Sequence, residues 1–321
     1  MMKYIICILL FIGCSAEKSN TKGSEKINSS AIQSNVSLVV LGTAQDGGSP
    51  HIGCKKECCV KLWTQPDKTR KVVSLGVIDN ENEKRYIFEA SPNLTSQIAD
   101  LNIHAGKAYD LMPDGVLITH AHIGHYTGLM FLGREARGAI KVPVFAMPKM
   151  TEFLSTNGPW DQLVKLENIE LYKLEANNET VLTPNVKVEP IQVPHRDEYS
   201  ETVGFIISGE QKSALFIPDI DKWEKWDEDI VAWIAKVDYA FLDATFYDGN
   251  EINNRDISEI PHPFVIESME LFKGLSIAEK EKIHFIHLNH TNPLWDKESE
   301  EYKHVVDAGF KVAEYGQKLV L

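Results

Sequence analysis

The chain has 321 residues, of which 43% are hydrophobic and 25% are charged, and its formal net charge is −13. This composition excludes a disordered chain and allows a sizeable buried core. The acidic balance argues against a nucleic-acid surface, because phosphate contacts need clustered Lys and Arg. No Pro/Gly/Ser-rich linker interrupts the sequence after about residue 36, so we expect one large α/β domain.

The first residues form a predicted targeting segment. Lys3 precedes an apolar stretch at residues 4–12, which has the length of a signal-peptide core and is too short to span a bilayer. Gly13-Cys14 resembles the cleavage box of bacterial lipoproteins, and an uncleaved anchor is the alternative. We therefore predict a signal peptide at 1–14, a polar flexible tether at 15–35 and a folded domain at 36–321, held at the cell envelope only by a lipid on Cys14.

From residue 37 onward, short β-branched runs alternate with amphipathic stretches. Strands are predicted at 37–41, 72–79, 85–90, 116–119, 142–146, 186–193, 203–208, 214–218, 239–243 and 282–288. Helices are predicted at 93–101, 124–135, 147–155, 228–235, 264–273 and 297–308. Because each sheet must cover its apolar faces, this order favours two sheets packed face to face with helices outside.

Three histidines lie close together directly after the predicted strand at 116–119. His120 and His122 are two residues apart in extended chain and point to the same side, and His125 follows at a turn. Imidazole is the commonest metal ligand, so the spacing indicates a zinc or iron site rather than three ordinary surface or core histidines.

Further ligand candidates follow later strands. They are His195, Asp219, His287 and His290. Polar residues at the carboxyl ends of strands are where α/β folds place their sites, although a single Asp after a strand is more often a turn or helix cap.

This series resembles the metallo-β-lactamase superfamily, whose motif His-x-His-x-Asp-His is followed by a His, an Asp and a His, each after a strand. The resemblance implies a four-layer αββα sandwich. It also implies that His120, His122 and His195 hold one metal, that Asp219 bridges, and that His125 with His287 or His290 serves a second metal.

One position departs from the motif, since Gly124 stands where the family has Asp. The second site would then lose an anionic ligand and bind a divalent metal more weakly. Asp243 or a water could fill the gap, but we expect Asp243 to support other ligands or the fold.

The segments 41–48, 120–129, 243–246, 260–263 and 287–293 resemble those of one subgroup. That subgroup includes pyrroloquinoline quinone biosynthesis protein B and the cyclic phosphodiesterase of phosphonate breakdown. Both carry a Cys cluster that binds structural zinc, which implies such a site at Cys54, Cys58 and Cys59, with His290 as fourth ligand. A disulfide plus one free thiol is the alternative.

The expected activity is hydrolysis of a small phosphodiester or related ester by metal-activated water. Asp219 would orient the water, and His262 is a candidate proton donor, although a loop histidine fixed between two prolines is equally compatible. The rivals are oxidation at an iron centre and a non-enzymatic metal- or ligand-binding lipoprotein. The expected partner is a small-molecule substrate, with no nucleic acid, and the oligomeric state is left open.

Overall fold

The structure, a computed structural model, describes residues 34–196, 198–251 and 260–321. The predicted signal peptide, Cys14 and nearly all of the predicted tether lie outside the described residues. The compact unit that follows runs from Ser34 to Leu321. None of the helices within the described ranges combines the length and apolar character needed to cross a bilayer.

The first sheet has seven strands, and the chain's first strand lies near one edge. The order across the sheet is β14-β1-β2-β3-β4-β5-β6, with antiparallel pairing from β14 to β3 and parallel pairing from β3 to β6. The strands are β1 (Val36–Gly42), β2 (Ser74–Asp79), β3 (Lys84–Phe88), β4 (Gly115–Leu117), β5 (Val142–Ala146), β6 (Ile169–Lys173) and β14 (Lys318–Val320).

The second sheet also has seven strands, in the order β13-β12-β11-β10-β9-β8-β7. Its strands β10 to β13 are parallel to one another, and β7 to β10 are antiparallel. They are β7 (Thr180–Thr183), β8 (Val186–Gln192), β9 (Val203–Ser208), β10 (Ser213–Ile217), β11 (Tyr239–Asp243), β12 (Ile283–Ile286) and β13 (Lys311–Val312).

Alternation along each strand builds two kinds of apolar layer, because successive side chains point to opposite faces. On β1, Leu38 belongs to a core shared with the second sheet, whereas Val39 belongs to a core covered by helices. On β10, Phe216 faces the shared core and Leu215 faces the opposite helical layer. Two sheets with both outer faces covered by helices make the predicted four-layer αββα sandwich, which is confirmed.

The helices lie mostly on the two outer faces. Their bounds are α1 (Glu57–Val60), α2 (Leu94–His104), α3 (Ile123–Tyr126), α4 (Pro148–Thr156), α5 (Trp160–Lys165), α6 (Ile230–Ala235), α7 (Val265–Leu271), α8 (Ile277–Lys280) and α9 (Glu300–Asp307). Residues of α2, α4 and α5 pack on the first sheet, and residues of α6, α7 and α9 pack on the second.

One predicted helix differs in form. Instead of a helix over 124–135, α3 is followed by a 3-10 turn at Thr127–Leu132. The backbone N–H of Gly128 donates to the carbonyl of Ala90 at 2.8 Å, and a Cβ on Gly128 would lie 2.1 Å from the carbonyl oxygen of Ser91. This close approach fixes the chain to the loop after β3 and prevents a regular helix.

Candidate metal centre

The first group of ligand candidates follows the ends of three strands, one in the first sheet and two in the second. His120 and His122 follow β4, His195 follows β8 and Asp219 follows β10. Asp219 Oδ2 lies 3.4 Å from His120 Nε2, 3.2 Å from His195 Nε2 and 3.9 Å from His122 Nδ1. His195 Nε2 lies 3.2 Å from His122 Nδ1. The structure therefore brings these four predicted ligands to one point.

The second group shares Asp219 and adds His125, His287 and Asp46. His125 Nε2 lies 3.8 Å from Asp219 Oδ2 and 3.0 Å from Asp46 Oδ1, and His287 Nε2 lies 3.3 Å from the same Asp46 oxygen. Of the two alternatives for the last histidine, the structure places His287 here and His290 elsewhere.

The spacing of both groups suits zinc. Two ligands at about 2.1 Å from a zinc ion lie about 3.4 Å apart in tetrahedral geometry. The distances from Asp219 Oδ2 to the four histidine nitrogens run from 3.2 to 3.9 Å, which includes that separation. Nε2 of His120 is buried without a hydrogen-bond partner in the structure, which is costly for a polar atom unless an ion or water satisfies it. The residues present therefore fit a bound metal.

Polar partners hold the ring nitrogens that face away from each group. Thr119 Oγ1 lies 2.9 Å from His120 Nδ1 and donates to Glu89 Oε1 at 2.6 Å. Asp221 Oδ1 lies 3.1 Å from His195 Nδ1. Such partners fix the tautomer and the orientation of a ligating imidazole, leaving the other nitrogen for the ion.

His262 lies beside the shared carboxylate. Its Nδ1 is 2.8 Å from Asp243 Oδ2 and 3.1 Å from Asp219 Oδ1. Asp243, at the end of β11, accepts a 2.6 Å hydrogen bond from Thr245 Oγ1, and that hydroxyl lies 2.9 Å from His287 Nδ1. Asp243 thus contacts two histidines of the centre, and ligand atoms of Asp219, Asp243, His262 and His287 also lie within 4.8 Å of one another.

Burial and neighbouring charged groups shift the pKa values of the buried side chains in the centre. Burial lowers the pKa of His120 well below its usual value, because the charged form loses solvent. Burial would also lower the pKa of His287, but hydrogen bonds to Asp243 and Asp46 raise it to about 9. Burial would raise the pKa of Asp219, but the neighbouring His195 and His262 hold it well below its usual range. Asp219 is therefore ionised, as a ligand must be.

A separate cluster contains Cys54, Cys58, Cys59 and His290. The sulfur of Cys58 lies 4.0 Å from that of Cys54 and 3.8 Å from that of Cys59, close to the separation of two thiolates on one zinc ion, about 3.8 Å. All three are free thiols in the structure. Burial and the adjacent thiols raise the pKa of Cys58 to about 12, and a metal would reverse that shift.

Asp46 is not among the ligands that the sequence predicts, but the structure places it in the centre. The expectation from Gly124 was a second group with two imidazoles and one shared carboxylate, and the structure adds a second carboxylate from the loop after β1. The signal was available, since Asp46 lies in the segment 41–48 that resembles the subgroup. Glu89, Thr119 and Asp221 carried no such signal, because their role depends on three-dimensional contacts.

A known protein-family model matches most of the domain. The model described as the beta-lactamase superfamily domain matches residues 84–287. That range contains His120, His122, His195, Asp219 and His287, and it excludes Asp46 and the Cys cluster.

Similar proteins cover almost the whole domain. Coenzyme PQQ synthesis protein B of Methylorubrum extorquens strain PA1 is 25% identical over 305 residues, which cover 88% of this chain and 99% of the relative. The protein of the same name from Gluconobacter oxydans strain 621H is 27% identical over 304 residues, which cover 88% of this chain and 97% of the relative.

Two solved structures share the fold. The zinc-bound PqqB from Methylobacterium extorquens has a TM-score of 0.72 at 22% identity, and the match covers 89% of this chain and 100% of that one. A diphosphatase from the PhnP family has a TM-score of 0.58 at 23% identity, and the match covers 88% of this chain and 96% of that one.

Proposed function

Because the chain belongs to the beta-lactamase superfamily domain family, we propose that it is a metal-dependent hydrolase of a small phosphodiester or related ester. The observation that carries the proposal is the position of Asp219, whose Oδ2 lies within reach of both ligand groups, 3.2 Å from His195 Nε2 and 3.8 Å from His125 Nε2. A carboxylate shared between two adjacent metal positions is suited to phosphoester hydrolysis. The similar PhnP-family structure is described as a diphosphatase, which favours a phosphorus centre.

Zinc ions held at the two groups would supply Lewis acidity and an activated water nucleophile. The chain's own residues then account for the proton that the leaving group needs. His262 Nδ1 lies within hydrogen-bond distance of Asp243 and Asp219, so we assign Nε2 as the nitrogen that would face substrate. Burial opposes the charged form of His262, but the charges of Asp243 and Asp219 outweigh it and hold the pKa of His262 well above its usual value. A protonated His262 would donate its Nε2 proton as the ester bond to the leaving oxygen breaks, while Asp243 holds the ring through Nδ1.

The test is a substrate panel of phosphodiesters, cyclic phosphates, diphosphates, lactones and thioesters with wild type, His122→Ala and His262→Gln. His104→Gln on α2, remote from the ligand groups, is the control. We expect His122→Ala to abolish turnover. His262→Gln should lower kcat about 100-fold or more for a poor leaving group and much less for nitrophenolate, which leaves without a proton. Turnover unchanged in His122→Ala would refute the mechanism.

A second candidate is metal-dependent oxidation, favoured by the relatives named Coenzyme PQQ synthesis protein B. Metal analysis of protein purified without added metal separates the possibilities. Zinc in the imidazole groups supports hydrolysis, whereas iron together with oxygen consumption supports oxidation. Metal in the Cys cluster alone would support the third possibility, a non-enzymatic binding protein.

A further inference from the structure

We propose that Asp46 supplies the anionic ligand of the second metal, and that Gly124 lacks a side chain because the loop carrying Asp46 occupies that space. The inference rests on the metal-dependent function proposed above and concerns how this chain completes its second group.

The position of the Asp46 carboxylate is that of a ligand. A single oxygen, Oδ1, lies 3.0 Å from His125 Nε2 and 3.3 Å from His287 Nε2. His125 Nε2 also lies 3.8 Å from Asp219 Oδ2. Ligand atoms of Asp46, His125, Asp219 and His287 all lie within 4.8 Å of one another, so one ion can reach all four side chains. The Asp46 side chain is 14% exposed, which leaves it little access to bulk water.

Gly124 explains why the carboxylate comes from a different part of the chain. A Cβ at position 124 would lie 2.5 Å from Asp46 Oδ1 and 2.7 Å from Asp46 Cα. Rotation of the Asp46 side chain cannot relieve a contact with its own Cα. Any side chain at position 124 therefore requires the loop to move, so a carboxylate at 124 and Asp46 in its present place exclude each other.

Backbone hydrogen bonds hold the loop in place beside the end of β12. The N–H of Gln45 donates to the carbonyl of Leu288 at 2.9 Å, and the N–H of Leu288 donates to the carbonyl of Thr43 at 2.8 Å. Asp46 follows Gln45 directly, and His287 precedes Leu288. The same pairing that places His287 in the centre therefore places Asp46 opposite it.

Asp46 could instead orient the two rings without touching an ion, and metal content distinguishes the two roles. Asp46→Asn keeps the size of the side chain and removes its charge. We expect zinc in the dialysed protein, measured by mass spectrometry of the metal, to fall from about three ions per chain to about two. The affinity of the weakest site, measured by titration of the metal-free protein with Zn²⁺, should fall roughly tenfold or more. Asp110→Asn on an exposed loop should change neither.

Gly124→Ala tests the steric half of the inference. We expect it to lose the same zinc ion as Asp46→Asn, because the loop is displaced, whereas Gly274→Ala, where a Cβ meets nothing within 4 Å, should retain it. Cobalt substitution serves as a check on folding, since the sulfur-to-metal absorption of the Cys cluster should persist in every variant.

Full zinc content and unchanged affinity in Asp46→Asn would overturn the inference even if the enzyme hydrolyses esters. Loss of one zinc ion with no ester hydrolysed by wild type would support the inference and refute the proposed function. A wild-type chain with zinc in only the first group and the Cys cluster would also overturn it.

Discussion

The carboxylate of Glu89 lies 3.1 Å from Nδ1 of His125, on the opposite side of the ring from Asp46. Glu89 is fully buried and adopts a positive φ of 76° at the end of β3. It also accepts the hydroxyl hydrogen of Thr119, which in turn contacts His120. One buried carboxylate therefore orients a histidine of each ligand group.

Glu89→Gln should weaken both metal sites without removing a ligand. The amide keeps the size of the side chain but loses the charge that favours a strongly donating imidazole, and such partners contribute roughly 10- to 100-fold in metal affinity. Titration of the metal-free protein with Zn²⁺ measures the effect, with Glu135→Gln on the exposed surface as control. Equal affinity in wild type and Glu89→Gln would show that Glu89 serves the fold alone.

The sequence was sufficient to predict the fold class and the residues that the structure brings together in the first group. Apolar runs such as 142–146 and 239–243 coincide with β5 and β11, because buried strands carry a strong hydrophobic pattern. The strands β6, β7, β13 and β14 were missed. They lie at or near sheet edges and carry exposed side chains, for example Tyr172 and Val181, so their pattern is weak.

The second group was harder to predict for a different reason. Asp46 and His287 are far apart in sequence and meet through backbone pairing between the loop after β1 and Leu288, which follows His287. No local periodicity encodes that contact. From the sequence alone Gly124 therefore indicates the loss of a carboxylate, whereas the structure shows Asp46 beside it.

The Cys cluster and the second group should be coupled, because one loop connects them. Asp46 faces His287, and five residues later the ring of His51 stacks on that of His290, with ring centres 4.4 Å apart. Cys58→Ser should lose the structural zinc and also weaken zinc binding by the second group several-fold. Zinc titration with stoichiometry measured at each step tests this, with Lys55→Ala, an exposed residue next to Cys54, as control. Loss of one zinc ion with unchanged affinity elsewhere would show that the two sites are independent.

The predicted lipid attachment concerns Cys14, which lies outside the described residues. We expect Cys14→Ser to move the full-length protein from the membrane fraction to a soluble fraction or leave its leader uncleaved, since a lipoprotein-type signal requires the thiol. Fractionation and the mass of the mature chain provide the measurement, with Ser15→Ala as control. A wild-type mature chain without a lipid would contradict the prediction.

His284 should make the protein less stable in mild acid. His284 is on β12, and only 1% of its surface is exposed to solvent. The centre of its ring lies 5.0 Å from that of Phe241. Burial, with a smaller contribution from Lys311, lowers its pKa from 6.5 to about 4. As the pH falls below 6.5, the unfolded chain takes up a proton that the folded chain does not, so stability present above pH 6.5 is lost progressively towards pH 4.

Replacing His284 by Leu removes this titration. Between pH 8 and pH 5, a shift of this size changes the free energy of unfolding by about 2 kcal/mol. We expect the wild type to lose about that much more stability than His284→Leu over this range, measured by urea unfolding at both pH values. Because other groups titrate equally in the two proteins, their contributions cancel in the difference. Parallel losses in wild type and variant would show that His284 becomes charged as easily in the folded chain as in the unfolded one.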